Sequence, residues 1–153
     1  MLTEGKKAPK TKVLDAEGAA VSLSDYAGKM VVLYFYPKDD TQGCTVEAKD
    51  FRDYMAKFKK LGVVVIGVSK DSTQSHEKFC NKYDLNFSLW SDEEHKLMDA
   101  FGVWQLKKFM GREFMGTVRS TFVIDKKGTI IKVFPKVTVK DHAKEVYTFV
   151  SSL

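Results

Sequence analysis

The chain has 153 residues, of which 44% are hydrophobic and 29% are charged, and this length suits one domain. Its apolar content excludes a disordered chain, and two cysteines are too few for a disulfide scaffold. No apolar run approaches the roughly 20 residues of a membrane span, and the N-terminal sequence lacks the apolar core of a signal peptide. We therefore expect a single soluble, cytoplasmic domain over residues 1–153.

Lysine and arginine total 25 against 20 aspartates and glutamates, which makes the chain basic with a formal charge of +5. Such a charge favours weak attraction to nucleic acid or to acidic partners. The two signs are interspersed along the chain, as in residues 50–60, so a solvated lysine-rich surface is the better interpretation. We expect no nucleic-acid or membrane partner, and nucleic-acid binding remains the weaker alternative.

The hydrophobic pattern switches repeatedly between strand and helix periods. It predicts, in chain order, a hairpin over 11–23, a helical turn at 24–28, a strand at 30–36, a helix at 41–60, a strand at 62–69, a helix at 72–83, a strand at 87–90, a helix at 93–101, a loop at 104–118, a hairpin at 119–134 and a helix at 140–152. Helical crossovers make the first strands parallel, and the last hairpin adds antiparallel members. The predicted class is α/β, a thioredoxin-like fold whose central mixed β-sheet is flanked by helices, with an N-terminal hairpin extension.

Ligands of such sheets bind beyond the carboxyl ends of the strands, which directs attention to the segment after Tyr36. Cys44 falls there, where a polar loop turns into a helix with Thr41 as the predicted N-cap. Unpaired backbone N–H groups and the helix dipole stabilise a thiolate at this position. Pro37 stiffens the loop, and Glu47, one helical turn further on, could orient an arginine. The alternative is a small apolar filler, and the polar loop after a central strand weighs against it.

Pro37, Thr41 and Cys44 follow the spacing PxxxTxxC, which resembles the active-site motif of the peroxiredoxins. The wider string YFYPKDDTQGCTVEAKDFRD is similar to the peroxiredoxin Q (bacterioferritin comigratory protein) branch of that family. Further matches are the segments that begin at Gly67 (GVS), Tyr83 (YDLNF) and Arg119 (RSTF). The resemblance extends over residues 4–150.

The resemblance implies a thiol peroxidase without metal or organic cofactor. Cys44 would be the peroxidatic cysteine, which attacks the O–O bond of hydrogen peroxide or an organic hydroperoxide and becomes a sulfenic acid. Arg119, the Thr41 hydroxyl and backbone N–H groups near Cys44 would stabilise the leaving oxygen. Pro37 would shield the sulfur from water. The alternative for Arg119 is a surface salt bridge, which its place at the start of a strand disfavours.

Two positions depart from the family pattern. Gln42 stands where relatives often carry proline, which predicts a looser loop, and Lys49 stands where many relatives carry the resolving cysteine. A second subgroup has its resolving cysteine in the following helix, and Cys80 lies at about that spacing. The resemblance thus implies a Cys44–Cys80 disulfide, reduced by thioredoxin or a similar dithiol protein. Because the two sulfurs lie on different helices, we expect both helices to unwind locally when they pair.

Cys80 has a second interpretation, because it shares a helix face with Phe79 and Tyr83. As a core residue it would leave a one-cysteine peroxidase that is resolved by an external thiol. A non-catalytic thioredoxin-like module for redox sensing or binding is the rival from another class. Family resemblance favours a monomer.

Histidines suggest a metal site only weakly. His76 lies four residues before Cys80, but no companion histidine has metal-ligand spacing, so His76 is interpreted as solvated or helix-capping. The predicted loop 104–118, rich in Met, Phe and Lys, is expected to line the site entrance. Its Met110 and Met115 are expected to be open to oxidation by peroxide.

Overall fold

The computed structural model describes residues 1–153 as nine strands, four α-helices and a 3-10 turn at Leu23–Tyr26. The strands are β1 (Val13–Asp15), β2 (Ala20–Val21), β3 (Met30–Phe35), β4 (Val63–Ser69), β5 (Ser88–Ser91), β6 (Trp104–Phe109), β7 (Arg112–Thr117), β8 (Ser120–Ile124) and β9 (Ile130–Phe134). The helices are α1 (Gln42–Lys60), α2 (Thr73–Tyr83), α3 (Lys96–Phe101) and α4 (His142–Ser151). None of them combines the length and the apolar character that crossing a bilayer requires.

Seven strands form one mixed sheet in the order β2-β1-β5-β4-β3-β8-β9. Strand β3 runs parallel to β4 and antiparallel to β8, and β4 runs parallel to β5. The helical crossovers dictate the parallel pairs, as predicted, and the terminal hairpin supplies the antiparallel members. The arrangement is the predicted thioredoxin-like sheet with helices on both faces and an N-terminal β1–β2 hairpin at one edge.

Two apolar cores share this sheet, and alternate residues of β3 point into each of them. Val32 and Tyr34 pack in one core with α1, α2 and α4, whereas Leu33 and Phe35 pack in the other with α3. Both faces of β3 are covered, so its sequence is an uninterrupted apolar run. The carboxyl end of β3 and the start of α1 meet at one end of the first core.

The predicted loop at 104–118 is wrong. Strands β6 and β7 pair with each other as a separate hairpin, and Met110 and Gly111 form its turn with φ of 51° and 78°. Positive φ at both central positions suits the right-handed twist of a two-residue hairpin. The pattern was missed because most of the hairpin is exposed, so its residues do not alternate between apolar and polar as a half-buried strand would.

Helix boundaries differ from the prediction where the backbone turns left-handed. Helix α3 begins after His95, whose φ is 48°, rather than at 93, and α4 begins after Asp141, whose φ is 57°, rather than at 140. Val46 of α1 and Leu61 directly after it are apolar but 41% and 44% exposed. Phe51 and Phe58 carry the contact of α1 with the sheet instead.

Candidate active site

Cys44 lies in the first turn of α1, directly beyond the carboxyl end of β3. Thr41 is the N-cap residue, and the first hydrogen bond of the helix runs from the Thr45 amide to the Thr41 carbonyl at 2.9 Å. The backbone amides of Gln42, Gly43 and Cys44 therefore precede the helical ladder. Cys44 itself is 2% exposed. A nearly buried thiol thus faces the positive end of a 19-residue helix.

The Thr41 side chain does not cap the helix. Its hydroxyl donates to the carbonyl of Lys38 at 2.9 Å, which closes the loop before α1. Pro37 is half-buried at the start of this loop. Gln42 occupies the first helical position, where proline is favoured because its fixed φ matches the helix. Thr41 and Pro37 thus shape the loop, and their contact with a substrate stays a prediction.

Arg119 reaches the thiol from the neighbouring strand. It precedes β8, which pairs Ser120 with Phe35 at the carboxyl end of β3. Its Nη2 donates to Cys44 Sγ at 3.3 Å, and its Nη1 donates to Glu47 Oε1 at 2.6 Å. The Arg119 side chain is 18% exposed, so the surface salt bridge considered for it is wrong.

Glu47 sits one helical turn after Cys44, and its side chain is 1% exposed. Burial raises the pKa of Glu47 to about 7, although the ion pair with Arg119 opposes that shift. Oε2 of Glu47 has no hydrogen-bond partner. Burial also disfavours the charge of Arg119, but Glu47 and Cys44 more than offset this effect and the pKa of Arg119 is raised. The guanidinium therefore keeps its charge beside the sulfur.

Gly43 leaves the room that this arginine needs. A Cβ built on Gly43 would lie 3.3 Å from Nη2 of Arg119, closer than nearly all real Cβ contacts. The sequence predicts that backbone N–H groups near Gly43 help to form the pocket, and the structure adds that the missing side chain leaves space for Arg119.

Cys80 lies in the last turns of α2, half-buried against the core cluster that contains Cys44. Both cysteines are free thiols. Burial raises the pKa of Cys80 to about 11, with further contributions from Asp39 and Glu17. Such a thiol stays protonated near neutral pH, and only the thiolate is a strong nucleophile. Cys80 is therefore a poor nucleophile as long as α2 holds it in this environment.

His76 is fully buried, so its interpretation as a solvated or capping residue was wrong. Its Nδ1 lies 2.7 Å from Asp39 Oδ2, and its Nε2 lies 2.9 Å from the Trp90 carbonyl oxygen. Asp39, Asp71 and His76 bring one potential ligand atom each within 4.8 Å of one another. Protein donors already occupy this cluster, since Asp71 Oδ2 accepts from the Asp39 amide and from Ser69 Oγ. The cluster is a closed hydrogen-bond network, and no metal is needed to explain it.

Strand β6 lines a cavity that Arg119 also lines. This cavity of about 590 Å³ has Lys107, Val118, Arg119 and Lys136 on its walls. The Nζ of Lys107 donates to the Thr117 carbonyl at 2.9 Å, so a second cation is fixed near Arg119. The segment is a hairpin rather than a loop, and its role as the lining of the site entrance stays a prediction.

A thioredoxin-like sheet that presents a helix N-terminal thiol to a buried, charged arginine is the architecture of a cysteine-dependent redox enzyme. The model of the AhpC/TSA family matches residues 4–133. Peroxiredoxin Bcp of Bacillus subtilis is 56% identical over 141 residues, which are 92% of this chain and 90% of that protein. Peroxiredoxin Bcp of Escherichia coli K12 is 44% identical with the same coverage.

Solved structures of peroxiredoxin Q agree with these relatives. The Xylella fastidiosa protein superposes with a TM-score of 0.94 at 33% identity, over 99% of this chain and 97% of that one. The Xanthomonas campestris protein superposes with a TM-score of 0.89 at 37% identity, over 93% and 90%. The chain belongs to the AhpC/TSA family, in its peroxiredoxin Bcp branch, and is a thiol peroxidase. This assignment confirms the resemblance read from the motifs and removes the non-catalytic module as an alternative.

Proposed function

We propose that Cys44 is the peroxidatic nucleophile of this thiol peroxidase and that it reduces hydrogen peroxide and small organic hydroperoxides. The observation that carries the proposal is the 3.3 Å contact from Arg119 Nη2 to the buried Cys44 sulfur at the start of α1. The guanidinium and the helix N-terminus both favour thiolate over thiol. Alkyl peroxide reduction is the activity described for the Xanthomonas campestris bacterioferritin comigratory protein, which supports organic substrates.

In the first step the thiolate attacks the O–O bond. An S–O bond forms at Cys44, the O–O bond breaks, and the departing oxygen takes up a proton to leave as water or an alcohol. Negative charge grows on that oxygen, and fixed donors lower the barrier most when they are already aimed at it. Arg119 and the first-turn amides are such donors, and Glu47 holds the guanidinium in place.

The second step consumes the sulfenic acid. Cys80 attacks the Cys44 sulfur, the S–S bond forms, and water leaves. A dithiol protein such as thioredoxin then reduces the disulfide by thiol exchange. Cysteine-to-serine variants of the Xanthomonas campestris protein were solved at two cysteines with the same sequence separation as Cys44 and Cys80, which supports the pairing. Both cysteines of the cycle lie in one domain over residues 1–153. In this proposal the protein acts as a monomer in the cytoplasm.

One serine variant and the mass of the oxidised wild-type chain test this cycle. We expect Cys44→Ser to lose more than about 10³-fold in turnover, because no other group replaces the nucleophile. One equivalent of hydrogen peroxide should remove two protons and both free thiols from the wild-type chain, measured by intact mass, without dimers on a non-reducing gel. Unchanged turnover in Cys44→Ser would refute the nucleophile. Addition of one oxygen with Cys80 still free would show instead a one-cysteine peroxidase.

A further inference from the structure

A buried polar network ties the loop before Cys44 to the helix that carries Cys80. Asp39 of the loop is 7% exposed, and His76 of α2 is fully buried. The Asp39 carboxylate accepts from Tyr36 Oη at 2.6 Å and from Ser75 Oγ at 2.8 Å, and it lies 2.7 Å from His76 Nδ1. Three side chains, one from the residue after β3 and two from α2, therefore contact one carboxylate.

The hydrogen bonds define where the protons are. The Trp90 carbonyl can only accept, so His76 Nε2, at 2.9 Å, carries a hydrogen. Asp39 and His76 Nδ1 then share one further proton, and the pair has no net charge. Removal of one partner from such a buried pair leaves the other uncompensated, which is far more costly than loss of an exposed pair.

The same helix face holds the loop at a second point. Lys82 Nζ lies 2.7 Å from Asp40 Oδ2, and Tyr83 Oη donates to Asp40 Oδ1 at 2.6 Å. Cys80 lies between His76 and these residues along α2. The outer contact is exposed, and exposed ion pairs contribute little. The buried Asp39–His76 pair is therefore the stronger of the two attachments that flank Cys80.

We propose that the Asp39–His76 pair positions α2 against the active-site loop and thereby sets how fast Cys80 becomes free to attack the Cys44 sulfenic acid. The inference rests on the proposed Cys44–Cys80 disulfide. While the pair holds, Cys80 remains in its buried environment and the sulfenic acid persists. A second hydroperoxide molecule can then oxidise it to sulfinic acid, with loss of water or alcohol. The pair thus sets which fraction of the sulfenic acid forms the disulfide and which fraction is oxidised further to sulfinic acid.

The test separates the two chemical steps in time. In stopped-flow fluorescence, wild type should show a peroxide-dependent phase for Cys44 oxidation and a later peroxide-independent phase for disulfide formation. We expect Asp39→Asn to accelerate the second phase about tenfold, because an amide nitrogen replaces one of the two oxygens that contact Tyr36, Ser75 and His76 and cannot accept a hydrogen bond there. The first phase should stay within about twofold of wild type, since Asp39 contacts neither Cys44 nor Arg119. Intact mass should show less sulfinic acid in the variant at a given peroxide excess.

Matched variants keep the result interpretable. Lys82→Met removes the exposed ion pair with Asp40, leaves the Tyr83 contact in place, and should leave both phases unchanged. The double variant Asp39→Asn/His76→Gln replaces both members of the buried pair by neutral amides and is used instead of Asp39→Asn if that variant does not fold, as judged by circular dichroism. An unchanged second phase in the folded variant would overturn the positioning role alone. An effect of Lys82→Met as large as that of Asp39→Asn would also overturn it. Absence of the second phase in wild type would overturn both the disulfide and this inference.

Discussion

At the scale of single residues, the chemistry of Cys44 depends on where one guanidinium is held. Arg119 binds the sulfur with Nη2 and Glu47 with Nη1, so each terminal nitrogen of its planar fork has a partner. The absence of a side chain at Gly43 also fixes where the guanidinium can lie, because a Cβ on Gly43 would be 3.3 Å from Nη2. A site of this kind tolerates little displacement of its donors.

Gly43→Ala should therefore change stability and activity in opposite directions. Alanine stabilises a helix relative to glycine by up to about 1 kcal/mol, and Gly43 lies within α1. The added methyl would displace the guanidinium by a few tenths of an ångström, and we expect Cys44 oxidation to slow about tenfold. Urea unfolding of the reduced protein and the peroxide-dependent stopped-flow phase measure the two effects. A variant that oxidises as fast as wild type would show that Nη2 placement is not limiting.

The motif residues Cys44, Thr41 and Pro37 were predictable because their spacing is local. The roles of Asp39 and His76 were not, since they are distant in sequence and meet only when α2 packs beside the loop. A histidine within a helix has no local signal that distinguishes a solvated side chain from a buried one. The error at His76 arose from that lack of a signal.

At the scale of elements, the β6–β7 hairpin concentrates exposed apolar side chains near the active site. Leu106, Phe109 and Met110 are 57%, 67% and 88% exposed, and Phe114 and Met115 on the other strand are about half exposed. Lys107 and Arg119 stand at the neighbouring cavity. The hairpin therefore carries the most exposed methionine of the chain, next to the cavity that Arg119 lines.

Exposure predicts which methionine is oxidised first. Met110 should form sulfoxide before Met115, and both should react before Met55 and Met98, which are 4% and 0% exposed. Peptide mass mapping after a timed excess of hydrogen peroxide measures the order, with Cys44→Ser as the protein so that turnover does not consume the oxidant. Equal oxidation of Met98 and Met110 would contradict the packing of α3 described above.

At the scale of the whole molecule, the buried carboxyl group of the candidate active site lowers the free energy of unfolding when it is ionised. A carboxyl group is buried at Glu47 with one oxygen unpaired, and this burial raises its pKa to about 7. Folding therefore favours the protonated form of Glu47. The stabilising contribution is complete below the unfolded pKa of 4.5 and is lost as the pH rises through about 7.

Glu47→Gln should reveal this cost as a function of pH. The amide keeps the shape and the Oε1 acceptor but cannot ionise, so the free energy of unfolding of wild type should fall relative to the variant between pH 5 and pH 8. The change should be about 2.5 kcal/mol over this range, because the pKa of Glu47 is 4.5 in the unfolded chain and about 7 in the folded protein. Urea titrations of both reduced proteins at the two pH values measure it. A difference between them that is independent of pH would contradict the raised pKa.

The amino-acid sequence by itself determined the class of fold and the order of its main strands and helices along the chain, and its motif predicts Cys44 as the reactive thiol. Those features depend on periodicity and on local spacing, which a single segment carries. Only the tertiary structure decided that Arg119 bridges Cys44 and Glu47, that His76 pairs with Asp39, and that residues 104–118 form a hairpin. Each of these depends on contacts between distant segments, whose burial no local pattern records.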